Sequence, residues 1–418
     1  MKHFPRRHFL RLAAGAAALP AVSHFAWAQA GTADSLIIVH ANVIDGVSNT
    51  PMMDATVVVA DGRIQSVGGK APDGPGRLID LKGHWLLPGF IDAHGHIGDL
   101  TAARRALESG VTTLASAGTS HFADVGLREL NRGGAVDVPD VVAAGYRIRP
   151  RLEDEFFIDL PQLADLRRGV HGPESVRRVV RAMASRGVNR IKVLSSERAG
   201  SPDTDPRVRI FTDEELAAAV DEAQKAGLWV LSHAHGDEGA APAVRAGVHT
   251  IEHGTYLSDE TLRLMKEKGV YLDPTIIATQ DLSDPGGEND QPFLQIRGRA
   301  MLPIAREMIG HAWKMGVKIV AGTDSRYSAR ANLLIADEII ALAEAGLSPM
   351  DAIKAATSVS AESLGVEKRT GSIQVGHEAD LVAVDRNPLA DIRHVADVLL
   401  VVNNGNVALN RLDVTPRP

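Results

Sequence analysis

Five times along this 418-residue chain a short apolar run ends in a side chain that can bind a metal, and amphipathic stretches separate the runs. The first is Pro88-Gly89-Phe90-Ile91-Asp92-Ala93-His94-Gly95-His96. Its histidines stand at i and i+2, so on a strand both imidazoles share one face. The second, Ile191-Lys192-Val193, carries a lysine inside an apolar strand. The third, Leu228–Gly236, ends in His233 and His235; the fourth, Val248–Gly254, in His253; the fifth, Val317–Asp324, in a carboxylate. A single polar residue at a strand end is ordinarily a cap on a buried element. Five in consistent order are better explained by parallel strands that deliver their chemistry to one end of an α/β fold.

The spacing predicts eight strand–helix units, with strands at 87–94, 111–116, 141–145, 189–194, 228–233, 249–253, 270–274 and 317–323. Helices are expected at 174–185, 213–226 and 259–268, the last two capped by Thr212 and Ser258. That is the pattern of an α/β TIM (β/α)8 barrel over residues 86–367. Short strand-like runs at 35–39, 55–59, 63–67 and 78–81 precede it, and others at 380–384 and 398–402 follow. Asp61-Gly62 and Asn404-Gly405 are hairpin signals. Neither terminal set is large enough to fold alone, so residues 31–85 and 368–418 are expected to combine into one small β-sandwich. The longest irregular stretches are expected at 150–170 and 276–298.

Two neutral imidazoles at one strand end can grip a divalent ion. Lys192 is costly to bury as an ammonium. It either snorkels to water or is carboxylated by carbon dioxide, which makes an anionic carbamate able to bridge two metals. With no cysteine in the chain, thiolate metal sites and cysteine nucleophiles are excluded. The net charge of −7 and the lack of a basic patch argue against a nucleic-acid partner.

Residues 1–30 read as a twin-arginine signal peptide. Arg6-Arg7-His8-Phe9-Leu10-Arg11 precedes a short Ala/Leu run, and cleavage is expected after Ala28 or Ala30. The apolar run is too short for a stable membrane anchor. Removing four basic residues and no acid takes the net charge from −7 to −11. The expected partner is the twin-arginine export machinery and the expected location the bacterial periplasm. Oligomeric state, a homo-oligomer included, is left open.

These motifs together resemble the amidohydrolase superfamily, within it the imidazolonepropionase-like and Xaa-Pro dipeptidase-like group of metal-dependent hydrolases. The matching segments are 88–96, Ile191-Lys192-Val193, Ser232-His233-Ala234-His235-Gly236, Ile251-Glu252-His253-Gly254, Ala321-Gly322-Thr323-Asp324 and Gly376-His377-Glu378-Ala379-Asp380-Leu381-Val382. The resemblance implies a binuclear centre: His94, His96 and Asp324 on one divalent ion, His233 and His253 on the other, carboxylated Lys192 and a hydroxide bridging them. Zinc is the default for such a donor set. It further implies hydrolysis of an amide, peptide or cyclic amide C–N bond, dipeptides included, with Asp324 as general base and acid.

Where such relatives carry Gly-Gly-His after the third strand, this chain has Ala144-Gly145-Tyr146-Arg147, so Tyr146 or Arg147 is the expected substrate contact there. Arg147, Arg198 and Arg326 suit bidentate recognition of a carboxylate, with surface ion pairing as the plainer role. His235 has two readings. It faces substrate, or it joins Glu238 in a His-x-x-Glu pair like that of mononuclear metal-dependent deaminases. A non-catalytic metal-binding protein is the third reading, against which Asp324 weighs.

Overall fold

The computed structural model describes residues 35–412 except 71–75, 288–289 and 329–332. The twin-arginine segment and both cleavage positions lie outside the described residues.

Strands β1 (Leu36–Val43), β2 (Met52–Ala60), β3 (Arg63–Val67), β4 (Arg77–Asp80) and β5 (Trp85–Pro88) come first. The Asp61-Gly62 turn joins β2 to β3 as an antiparallel pair, with Asp61 and Gly62 both left-handed. Then come β6 (Phe90–Gly95), β7 (Val111–Ser116) and β8 (Asp140–Val142), all parallel. A second parallel sheet holds β9 (Arg147–Ile148), β10 (Arg190–Leu194), β11 (Trp229–Gly236), β12 (Thr250–Tyr256) and β13 (Tyr271–Asp273). The chain closes with β14 (Leu381–Val384), β15 (Val398–Asn403) and β16 (Asn406–Asn410).

Both chain ends contribute to one eight-stranded sheet, ordered β16-β15-β14-β5-β1-β2-β3 with β4 beside β1. The two end segments expected to combine are hydrogen-bonded to each other in this sheet. Its middle strands are buried on both faces, and alternation divides their side chains. Leu381, Ala383, Leu400 and Val402 join an apolar cluster of the sheet's own, with Ile38, Val57 and Leu86. Val382, Val384 and Val401 point the other way, into the main core.

The expected strand 87–94 is divided at Gly89, with β5 in the eight-stranded sheet and β6 in the parallel one. A Cβ at Gly89 would collide with the Thr112 side chain, so glycine lets the two sheets meet there. Strand 141–145 is shorter than expected, and β9 takes over beside β10. Segment 317–323 is not a regular strand. It is extended, hydrogen-bonding β13 on one side (Leu272 N–H to Lys318 O, 2.9 Å) and β6 on the other (Ala93 N–H to Ala321 O, 2.9 Å; Asp324 N–H to His94 O, 2.7 Å). An unbroken eight-strand ring is therefore not present among the described residues, although this segment touches both parallel sheets.

Helices Pro173–Ser185, Asp213–Lys225 and Asp259–Lys268 fall where the amphipathic stretches predict. Thr212 Oγ1 and Ser258 Oγ accept N–H bonds from Glu215 and Thr261, the capping role read from sequence. Stretches 150–170 and 276–298 are less irregular than expected. They fold into a helix at Asp154–Asp159, a 3-10 segment at Pro161–Arg168, a helix at Ile276–Ser283, and the start of the long helix Pro292–Met315. Among the described residues no helix is long and apolar enough to cross a membrane.

Candidate metal centre

The C-terminal ends of β6, β10, β11 and β12 and the segment through Asp324 converge on one cavity, lined by His94, His96, Lys192, His233, His235, His253 and Asp324. Two donor sets stand in it. His94, His96 and Asp324 form one, and His233, His235 and His253 the other, each with ligand atoms within 4.8 Å of one another. Asp324 Oδ1 lies 2.8 Å from His96 Nε2 and 3.4 Å from His94 Nε2.

In four of the five rings the second nitrogen is hydrogen-bonded. His96 Nδ1 meets Gly118 O at 2.5 Å, and His233 Nε2 meets Glu197 O at 3.0 Å. His235 Nδ1 meets Thr255 Oγ1 at 3.1 Å, and His253 Nδ1 meets Thr275 Oγ1 at 2.6 Å. Such outer partners fix ring orientation and tautomer. His94 Nδ1 faces the Glu252 carboxylate, and Lys192 Nζ lies 3.4 Å from the same Glu252 Oε2.

Sequence reasoning missed this inner layer. Glu252 and Asp273 are both 1 % exposed, and with His94 they form a third group with metal-ligand spacing. Asp273 has no hydrogen-bond partner for either oxygen among the described residues. Strand alternation separates Glu252 from its neighbour His253, but His253 is left-handed (φ 70) and so breaks the alternation. Asp324 (φ 55) and Thr275 (φ 44) are left-handed too. Such non-glycine strain persists where surrounding structure over-determines it, commonly at functional sites. Asp92 supplies part of that constraint. Its carboxylate accepts from His94 N–H (3.0 Å), Thr323 N–H (3.0 Å), Thr323 Oγ1 (2.7 Å) and the Tyr327 hydroxyl (2.7 Å). It thereby ties β6 to the loop that presents Asp324.

Electrostatics match neutral imidazole and ionised carboxylate donors. Burial holds His233 and His253 well below the usual histidine range, and takes His235 to about 3. Burial also lowers His96, outweighing its bond to Asp324. Burial opposes charge on Asp324, but His94 and His96 outweigh it and hold the carboxylate well below its usual range. Glu252, against the same burial, is held at about 2 by Lys192 and His94. His94 moves the other way: burial and Lys192 disfavour its charge, and Glu252 with Asp324 raises it.

Acid should therefore destabilise the metal-free protein. A histidine whose folded pKa is depressed contributes stability above its unfolded pKa near 6.5, and loses it as pH falls toward the folded value. At pH 5 the unfolded chain gains about 2 kcal/mol for each of His233, His235 and His253, partly offset by His94. Urea midpoints of chelator-treated protein are expected to fall steeply between pH 7 and pH 5. A flat midpoint would mean that these rings are not held neutral.

Of the expected substrate contacts, Arg147 and His235 line the cavity. Tyr146 does not. It is 3 % exposed, its hydroxyl donates to Asp159 Oδ2 at 2.5 Å and accepts from His121 N–H at 2.9 Å. Its ring packs edge-on against Phe122 and Phe156. Arg198 lines the cavity and Arg326 is not among the lining residues. Glu238 is exposed on the helix Asp237–Ala246 and is likewise not among them.

Residues 85–408 match the family model described as "Amidohydrolase family". The chain belongs to this family. Among relatives of this amidohydrolase, the ochratoxinase of Aspergillus niger is 28 % identical over 400 residues, covering 85 % of this chain and 82 % of that one. The imidazolonepropionase of Micrococcus luteus is 27 % identical over 386 residues, covering 80 % and 88 %. Among solved structures, a Xaa-Pro dipeptidase with methionine bound in its active site superposes with a TM-score of 0.80 at 29 % identity, covering 89 % of this chain and 99 % of that one.

Proposed function

We propose that this amidohydrolase is a metal-dependent hydrolase that cleaves an amide, peptide or cyclic amide C–N bond, with two divalent ions in the cavity. The observation that carries the reading is the pair of donor sets facing one cavity, with Lys192 buried among them. The names of the relatives support it, ochratoxinase, imidazolonepropionase and Xaa-Pro dipeptidase. The same reading takes the two parallel sheets as arcs of one (β/α)8 barrel. The hydrogen bonds from segment 317–325 to both sheets support that.

The donor chemistry fits the ions. His94, His96 and Asp324 would hold one, His233 and His253 the other, and a mixed imidazole and carboxylate set suits zinc. Divalent metal bound there polarises a carbonyl and lowers the pKa of water. Asp324, kept ionised by His94 and His96, is placed to accept a proton and deliver it to the leaving nitrogen. Burial lowers the Lys192 pKa, which favours the neutral amine that adds to carbon dioxide; forming the new N–C bond releases one proton and leaves an anionic carbamate. His235 stays neutral and lines the cavity as a hydrogen-bonding wall.

The mononuclear deaminase reading needs Glu238 beside His235 as a proton shuttle, and the exposure of Glu238 weighs against it. A pure metal-binding role would use Asp324 as a ligand and has no need of it as a proton shuttle. The periplasm is the proposed site of action, supported by the Arg6-Arg7 segment.

The test is metal content per chain, on protein purified with bicarbonate and without chelator, followed by an amide and dipeptide screen. About two ions per chain, with hydrolysis lost on chelation and regained on adding zinc, is the expected result. One ion per chain, with ammonia released from aminated heterocycles, would establish the deaminase instead. Two ions with no C–N bond cleaved would overturn the hydrolase reading.

A further inference from the structure

The metal cavity carries two guanidinium groups that the metal chemistry leaves unused. Arg147, on β9, pairs in register with Lys192 on β10. Its nearest carboxylate is Glu153 Oε1 at 3.4 Å, and that oxygen lies closer, at 2.8 Å, to Arg149. Arg198 stands in the turn after β10, half-buried, and its guanidinium has no hydrogen-bond or ion-pair partner among the described residues. Near the cavity, Arg147 and Arg149 thus share one carboxylate, Glu153, and Arg198 has none among the described residues. Of the two acids lining the cavity, Asp324 is held by His94 and His96, and Asp281 lies on the helix Ile276–Ser283.

The turn that presents Arg198 is built rigidly. Arg297, from the helix Pro292–Met315, donates to Ala199 O (2.6 Å), Ser201 O (2.7 Å), Thr204 O (2.5 Å) and Pro202 O (3.2 Å). Thr204 Oγ1 donates to Arg198 O at 2.6 Å, and Glu197 N–H bonds Val208 O at 2.9 Å. A main chain fixed this firmly around an unpartnered cation lowers the entropy lost when an anion binds. The cavity, about 100 Å³ in all, has an apolar wall that includes Leu194, Ile277 and Leu282.

We propose that Arg198 and Arg147 are the specificity-determining residues of this site, and that they clamp a carboxylate carried by the substrate next to its scissile amide. The substrate class is then an N-acyl amino acid or dipeptide with a small apolar side chain, an assignment that rests on the hydrolase reading above. Two guanidinium forks recognise a planar carboxylate bidentately, which a lysine or a neutral donor cannot reproduce. The shared use of Glu153 leaves charge for one anionic group on the ligand.

The test uses the full metal-loaded chain and pairs of probes, N-acetyl amino acids with apolar side chains and their C-terminal carboxamides. Binding is followed by calorimetry and cleavage by amine release. Each acid is expected to bind at least about ten-fold more tightly than its carboxamide. Arg198→Gln should bring that ratio close to one, and Arg198→Lys should keep part of it, at unchanged metal content and circular dichroism. Arg147→Gln, read the same way, serves if the Arg198 variants do not fold. Equal affinity for acid and carboxamide, no binding of any acid, or an undiminished ratio in Arg198→Gln would each overturn the clamp. So would a preference that survives in Arg198→Gln but vanishes on chelation, because the carboxylate would then sit on metal. An intact acid preference with no probe cleaved would leave the clamp standing and count against the hydrolase reading.

Discussion

Asp324→Asn is expected to lower kcat about a thousand-fold while leaving the fold and much of the metal content in place. The amide keeps an oxygen for His96, 2.8 Å away in the native site, and for His94 at 3.4 Å. Asparagine is also among the side chains that best tolerate the left-handed backbone found here, φ 55, so strain should not confuse the result. What is lost is the proton acceptor, and general acid–base groups contribute about 10²–10⁴ in rate. The measurement is kcat at matched metal occupancy. A variant retaining more than about a tenth of native turnover would remove Asp324 from the proton-transfer role.

Lys192→Ala should have a comparable effect through a different route. Metal content is expected to fall from about two ions per chain toward one, with turnover reduced at least about a hundred-fold. In the metal-free protein, where Lys192 is not carboxylated, stability should fall as well. Lys192 and Glu252 are 2 % and 1 % exposed and lie 3.4 Å apart, so alanine removes one of the two groups that hold the Glu252 carboxylate ionised. Breaking a buried pair from one side costs about 3–5 kcal/mol. Elemental analysis and denaturant midpoints on the same preparation read the two effects separately. Native metal content in Lys192→Ala would rule out a bridging role for this side chain.

The legible part of the centre lay in local pattern. His94 and His96 share a strand face because i and i+2 always do, and the strands bearing Lys192, His233 and His253 announce themselves as apolar runs between capped amphipathic helices. Thr212, Ser258 and the two Gly hairpins were readable for the same reason: their chemistry acts on residues no more than a few positions away.

Local pattern and spatial position part at several residues. Tyr146 sits in the right stretch of chain to meet substrate. Yet the tertiary fold gives its hydroxyl to Asp159 and to the His121 N–H, and turns the next residue, Arg147, into the cavity. Segment 317–323 has strand composition, but it lies between two sheets and bonds each only in part. Glu238 has deaminase spacing to His235, and the start of the helix Asp237–Ala246 leaves it exposed.

The sequence by itself determined which strand ends carry donors and where the helices begin, because periodicity, caps and turns act over short chain distances. Only the tertiary structure decided how those donors are surrounded. It brought Glu252 and Asp273 against His94, joined His235 to His233 and His253, and left Arg198 at the cavity without a partner among the described residues. Those contacts span tens to hundreds of residues, and several depend on left-handed backbone at His253 and Asp324. A strand's alternating pattern gives no sign of such a reversal, because packing of the whole fold imposes it.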